Sequence, residues 1–139
     1  MSNVKCQMFD CIETSSSLAI EKRLAILYEE MTQIIRKYKP DVLAIEELFF
    51  NTNAKTAFMV GQARGVVLLA AGQNSLPVFV YTPLQVKMAI TGYGRAEKSQ
   101  IGQMVKVLLK LKEIPKPDDI TDALAVAVTH SFTKKFAEN

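Results

Sequence analysis

From residue 20 onward the apolar positions fall at helical spacing: Ile20, Leu24, Leu27, Met31, Ile34 and Tyr38 share one face. Pro40 stops this helix, and Ser15-Ser16-Ser17 offers hydroxyls to cap its start. Before it, Val4, Cys6 and Met8 alternate with polar residues, which predicts a strand over 4–14. After it, Val42-Leu43-Ala44-Ile45 is wholly apolar, the pattern of a strand buried on both faces, and it ends in Glu46-Glu47. Asn51-Thr52-Asn53 opens a second helix that runs towards Gly72. Gly61 and Gly65, four apart on it, predict close approach of a neighbour, such as the seam of a dimer. Pro77 to Thr82 predicts a second buried strand. Pro83 to Thr91 predicts a short helix, broken by Gly92-Tyr93-Gly94. Ala96 to Lys112 is amphipathic, with Ile101, Met104, Val105, Leu108 and Leu111 on one side. Asp118 or Asp119 caps a last segment through Phe132. There Leu124, Val126 and Val128 alternate as in a strand, but intervening alanines and acidic residues at the start favour a helix.

A helix set between two short apolar strands implies a parallel crossover, hence an α/β fold with helices flanking the sheet. The 139 residues favour a single domain over 1–139. With 49% hydrophobic and 22% charged residues, the composition is that of a globular chain and excludes a disordered one. The longest apolar run, Val66 to Ala71, falls far short of the ~20 residues of a membrane span, and no signal-peptide pattern is visible. Cys6 and Cys11 are the only cysteines, which in such a chain predicts reduced thiols and a cytoplasmic protein. With the single His130 they leave no Cys/His zinc set.

The net charge of +3 is unevenly placed. Between Leu84 and Pro117 lie seven basic residues (Lys87, Arg95, Lys98, Lys106, Lys110, Lys112 and Lys116) against Glu97 and Glu113, a net +5. Such a local field suits a polyanion, although a solvated lysine-rich helix face would account for the charge alone.

Glu46 closes an apolar strand, and in open α/β sheets sites lie beyond the carboxyl ends of strands. Asp119 and Asp122, three apart, would share one helix face. Together the three carboxylates could form an oxygen-rich cluster for Mg²⁺, which takes one or two carboxylates plus waters and substrate phosphate. Helix capping alone would explain the two aspartates. His130 lies eight residues past Asp122, about 12 Å along a helix, too far for the same ion, and is taken as structural.

The segments Ala44-Ile45-Glu46-Glu47-Leu48-Phe49-Phe50, Gly61-Gln62-Ala63-Arg64-Gly65-Val66, Gln85-Val86-Lys87, Ala96-Glu97-Lys98-Ser99-Gln100 and Asp119-Ile120-Thr121-Asp122-Ala123-Leu124-Ala125, closing with Thr129-His130, follow one another in a distinctive order and spacing. In these the chain resembles the bacterial RuvC Holliday-junction resolvase family, from about Cys11 to Phe132. The resemblance implies an RNase H-like mixed sheet, a homodimer, and magnesium-dependent hydrolysis of four-way junction DNA, with Mn²⁺ able to substitute. Branch-migration motor proteins are implied as partners. On the family pattern Glu46, Asp119 and Asp122 match catalytic, metal-holding carboxylates. Lys87 and Lys98 match basic residues near the scissile phosphate. Phe49 matches an aromatic that stacks on an unpaired base, a core or interface phenylalanine being the plainer alternative. Gly92, Gly94 and Arg95 lie where a loop could meet the DNA backbone, or form an ordinary turn.

The family pattern begins with a strand reading roughly Ile-Leu-Gly-Ile-Asp-Pro-Gly, then a second strand. Here Met1-Ser2-Asn3 leads directly into what resembles the third. The expectation is therefore an N-terminally truncated fold with a gap in its sheet, closed by rearrangement or strand exchange between protomers, and an endonuclease impaired by the missing aspartate. The alternative is a module that binds junction DNA without cutting it.

Overall fold

The computed structural model describes residues 4–47 and 54–138, the last five as backbone. Five helices and two strands follow in the order α1 (Ile20–Tyr38), β1 (Leu43–Glu46), α2 (Ala54–Gln73), β2 (Val78–Tyr81), α3 (Pro83–Thr91), α4 (Lys98–Leu108) and α5 (Asp118–Glu138). β1 and β2 are hydrogen-bonded neighbours and run parallel, as the crossover implied. The Leu43 N–H donates to the Pro77 carbonyl at one end and the Glu47 N–H to the Tyr81 carbonyl at the other, both at 2.8 Å. Helices around a small parallel sheet place the molecule in the α/β class. The last segment is helical, so the alanines and the acidic start outweighed the alternation of Leu124, Val126 and Val128.

The residues fall into two compact units. The first holds the segment up to Cys11, Ala44–Glu47 and everything from Val80 onward. Its core is built from Tyr81 of β2, Val86 and Ile90 of α3, Val105 of α4, and Ala125, Val126 and Val128 of α5, with Val4 and Ala44 packed against it. α3 begins sharply for a local reason. Thr82 Oγ1 accepts from the Gln85 N–H at 3.1 Å, Gln85 Oε1 accepts from the Thr82 N–H at 2.8 Å, and Pro83 sits where no N–H is needed. The helix ends at Gly92, whose φ of 74° suits glycine.

The second unit holds Ile12–Leu43 and Leu48–Phe79, and in it α1 packs on α2. Its core is smaller: Ile35, Ala70, Ala71 and Leu76, with Tyr28, Met31 and Leu43 beside them. Ala70 and Ala71 are fully buried, which lets the two helix backbones approach closely. Lys39 closes α1 in the left-handed region, at φ 49°, directly before Pro40.

Three expectations are corrected. Residues 4–14 form no strand; a strand needs a hydrogen-bonded neighbour as well as alternating side chains, and the described sheet contains β1 and β2 alone. The serines do not cap α1, because the helix starts later, at Ala19, and Ser15 and Ser17 bond to each other instead. β1 is half-buried throughout, and Val78, Phe79 and Val80 of β2 are exposed, because each strand of a two-stranded sheet is an edge. Within the single chain a Cβ built at Gly65 would touch nothing within 4 Å. Among the described residues no helix is long and apolar enough to cross a membrane.

Candidate active site

The carboxyl end of β1, the α3–α4 region and the first turns of α5 surround a cleft of about 420 Å³ within the first unit. Its charged lining comes from Glu46, Lys87, Glu97, Lys98 and Asp122, and its floor from Pro83, Val86, Ala96, Ile101 and Ala125. Each charged group is held by ordinary backbone logic. Glu46 is two residues past Ala44, which packs on the core, so the two occupy the same side of β1. Lys87 rides on α3, whose start is fixed by the Thr82 and Gln85 reciprocal bonds. Gln100 Oε1 accepts from the Glu97 N–H at 2.7 Å and so sets the start of α4, placing Lys98 in its first turn. The start of α5 is anchored by the buried Thr121 hydroxyl, which donates to the Pro115 carbonyl at 3.0 Å, next to Asp122.

Lys98 sits at a helix N-terminus, where the dipole disfavours a cation. Its compensation comes from α5: Lys98 Nζ lies 3.5 Å from Asp118 Oδ2 and 3.5 Å from Asp122 Oδ2. The Asp122 charge raises the Lys98 ammonium above its usual value. Burial raises the Glu46 carboxyl, and the Asp122 charge raises it further, against the pull of Lys98 and Lys87. Burial likewise raises Asp122, Lys98 opposing, with small upward contributions from Asp119 and Asp118. The cleft thus holds two carboxylates that resist ionisation together.

Of the residues singled out from the sequence, Glu46, Asp122, Lys87 and Lys98 are brought together. Asp119 is exposed and does not line the cleft, and among the described residues no three His, Cys, Asp or Glu side chains are grouped so as to hold a metal ion. Of the three expected carboxylates, Glu46 and Asp122 line the cleft, together with Glu97, and Asp119 stands beside it at the start of α5. Three residues along a helix leave an offset of about 60°, and in the exposed first turn that suffices to keep Asp119 off the cleft wall. Arg95, Gly92 and Gly94 lie in the turn between α3 and α4 and also stand outside the lining. A Cβ at Gly94 would come within 2.9 Å of Leu84 Cδ1, the end of an exposed side chain that can turn aside. Phe49 lies outside the described residues. Asp118, read from the sequence only as a cap, is a second anion on Lys98; the signal available was a lysine at a helix start with no acid of its own turn to balance it.

Two carboxylates still fit a hard divalent cation. Mg²⁺ keeps several waters and takes one or two protein carboxylates, and a cation would offset the burial that raises Glu46 and Asp122 and the Asp122 charge that raises Glu46 further.

Comparison with known proteins agrees with this cleft. Residues 1–130 match the family model described as crossover junction endodeoxyribonuclease RuvC. The chain is 56% identical over 130 residues to the crossover junction endodeoxyribonuclease RuvC of Alkaliphilus oremlandii, covering 94% of this chain and 79% of that one. It is 63% identical over 119 residues to the enzyme of Caldicellulosiruptor saccharolyticus, covering 86% and 72%. Among solved structures, Thermus thermophilus RuvC in complex with Holliday junction substrate is similar with a TM-score of 0.85 and 37% identity, over 90% of this chain and 76% of that chain. The likeness carries the RNase H-like fold with it, and the chain belongs to the RuvC family of crossover junction endodeoxyribonucleases.

Proposed function

We propose that this chain resolves four-way DNA junctions by hydrolysing a phosphodiester with Mg²⁺ as the ion, Mn²⁺ being able to replace it. The observation that carries the reading is the cleft in which Glu46 and Asp122 stand with Lys87 and Lys98. Glu46 and Asp122 would hold the ion. A bound divalent cation supplies Lewis acidity and an acidified water. Lys87 and Lys98 contribute positive charge where the phosphate would sit, stabilising charge that develops on its oxygens. Lys98 shares its ammonium between Asp118 and Asp122, so it is already oriented beside one of the ion's ligands. Asp119 acts through its field on Asp122 and is a weaker contributor.

The substrate class rests on the relative solved with a Holliday junction and on the basic stretch from Lys87 to Lys116. A homodimer is part of the same proposal, supported by Phe58 and Leu69, which stand exposed on α2. Branch-migration motors as partners follow from the family resemblance alone. One observation favours a second reading, junction binding without cutting: Glu46, Glu97 and Asp122 all line the cleft, yet among the described residues no three His, Cys, Asp or Glu side chains are grouped so as to hold a metal ion. Incubation of a mobile four-way junction with the chain in Mg²⁺ or Mn²⁺ separates the two. Symmetric nicks that vanish in Asp122→Asn establish the nuclease; a retarded but uncut junction establishes the binding module. A third carboxylate, supplied on an added N-terminal strand, should raise cleavage if two ligands limit the reaction, and an asparagine at the same place should not.

A further inference from the structure

One strong polar contact in the first unit is left unused by this reading. Tyr81 OH and His130 Nδ1 are 2.6 Å apart, although 49 residues separate them in sequence. Their rings meet edge to face, with centroids 5.9 Å apart and planes at 68°. Tyr81 is 6% exposed and belongs to the apolar core. A short bond in such surroundings is costly to leave unmade, and so it constrains both partners.

What it constrains is specific. Tyr81 ends β2, and its carbonyl accepts from the Glu47 N–H at 2.8 Å, the last bond of the ladder and the one adjacent to Glu46. His130 lies on α5, the helix that carries Asp122. α5 is tied at its start through Thr121 to Pro115, and beside His130 the Thr129 and Thr133 hydroxyls fold back onto the carbonyls of Ala125 and Thr129. A rigid α5 held by Tyr81 therefore connects the two carboxylates of the cleft by one continuous route: Glu46, the Glu47 N–H, Tyr81, His130, then back along the helix to Asp122.

We propose that Tyr81 and His130 are positioning residues that set the separation of Glu46 and Asp122 and thereby the affinity of the cleft for its divalent cation. The inference rests on the reading of that cleft as the cation site. Neither residue lines the cleft, and Tyr81 reaches it only through the core it shares with Val86 and Ala125, so both act through other residues. The relevant scale is small: ligands held a fraction of an ångström from their best positions lose much of their effect, and residues behind metal ligands change affinity by about 10–100-fold when removed.

The test compares Tyr81→Phe, which keeps the ring and removes the hydroxyl, with His130→Ala and His130→Gln, the last retaining a side chain that can bond the hydroxyl. Mn²⁺ binding is followed by electron paramagnetic resonance, and amide hydrogen exchange at Glu47 and Leu43 by NMR. Tyr81→Phe and His130→Ala should weaken Mn²⁺ binding about tenfold, with His130→Gln recovering part of the loss. Exchange at Glu47 should accelerate while exchange at Leu43, whose bond is to Pro77 at the opposite end of the ladder, stays within about twofold. Unchanged Mn²⁺ affinity in Tyr81→Phe, when Asp122→Asn abolishes binding, overturns the positioning role and leaves the cation site standing. Mn²⁺ binding that survives both Glu46→Gln and Asp122→Asn instead overturns the cation site. If the parent chain binds no Mn²⁺, the exchange data decide: uniform acceleration at both amides, or none at either, refutes the selective constraint on the Glu46 end.

Discussion

The two units bury apolar surface to different extents, although each also exposes some, Leu84 and Val107 in the first and Phe58 and Leu69 in the second. In the first, three helices and the ends of two strands enclose Val105, Ala125 and Val128 almost completely, and the polar groups at the helix starts are capped or paired. In the second, two long helices bury a short core of Ile35, Ala70, Ala71 and Leu76, while Phe58 and Leu69 stand exposed. The second unit also contains Thr32 Oγ1, a buried hydroxyl with no hydrogen-bond partner, and a mostly apolar groove of about 520 Å³ along α1 and α2. A closed core fixes charged side chains relative to one another, which a metal-dependent cleft requires. An open apolar face does nothing for chemistry and suits contact with another protein surface, in keeping with the proposed homodimer.

The largest expected effect tests the first half of that contrast. Glu46→Gln or Asp122→Asn should reduce junction cleavage by at least about a hundredfold, because the ion loses a ligand and the reacting groups lose their alignment. Single-turnover rates on a four-way junction check this, with junction affinity measured alongside and expected to hold. Packing gives the next effect. Val105→Ala removes a fully buried side chain from the first core and should cost about 2 kcal/mol of stability, seen in denaturant melts. Phe58→Ser, on the open face of α2, should change stability by no more than about 0.5 kcal/mol and instead lower the mass seen by sedimentation. If Phe58→Ser unfolds the chain, the open face is part of a core and the comparison fails. Charge comes third. Lys87→Ala and Lys98→Ala should weaken DNA binding and flatten its dependence on salt, whereas Lys39→Ala, at the end of α1, should leave both unchanged; titrations at two salt concentrations decide.

Much of the fold was readable because periodicity and punctuation agreed. Pro40, Pro83 and Gly92 mark real helix ends, and the apolar spacing of α1 matches its observed extent, whereas α4 ends at Leu108, short of the Lys112 that the spacing predicts. Burial was harder to read. The run Val42 to Ile45 and the strand after Pro77 are apolar enough for a doubly covered sheet, yet covering depends on neighbours that local sequence does not encode. Residues 4–14 show the same limit, since their alternation describes one strand and not its partner. At the site, Glu46, Asp122, Lys87 and Lys98 were legible through the order of their segments. Asp119 belongs to the expected metal set by the same order of segments and by its spacing from Asp122, and stands exposed at the start of α5, outside the cleft lining. Asp118 and Tyr81 were passed over because their partners, Lys98 and His130, are distant in sequence and only packing brings them near.

The smallest expected effect is thermodynamic and distinguishes the units by pH. Glu46 and Asp122 both have carboxyls raised in the folded chain, burial being the first cause for each. A raised carboxyl is easier to protonate folded than unfolded, so its ionised form costs stability. That cost is complete above the folded value, fades as pH falls through it, and is gone below the ordinary values of 4.5 and 3.8. Glu46→Gln should therefore melt slightly higher than the parent at neutral pH without metal, and the gap should close as the pH approaches 4. Asp122→Asn is a poorer probe, because it also removes the contact with Lys98. Added Mg²⁺ should close the gap at neutral pH as well, by stabilising the parent and not the variant. Glu30→Gln, exposed on α1 in the second unit, should change stability at neutral pH by no more than about 0.5 kcal/mol. A Glu46→Gln protein that melts lower than the parent at neutral pH, or a gap that Mg²⁺ widens, would mean that the attractive interactions of the Glu46 carboxylate outweigh the cost of its burial and that the cleft is not held open for a cation.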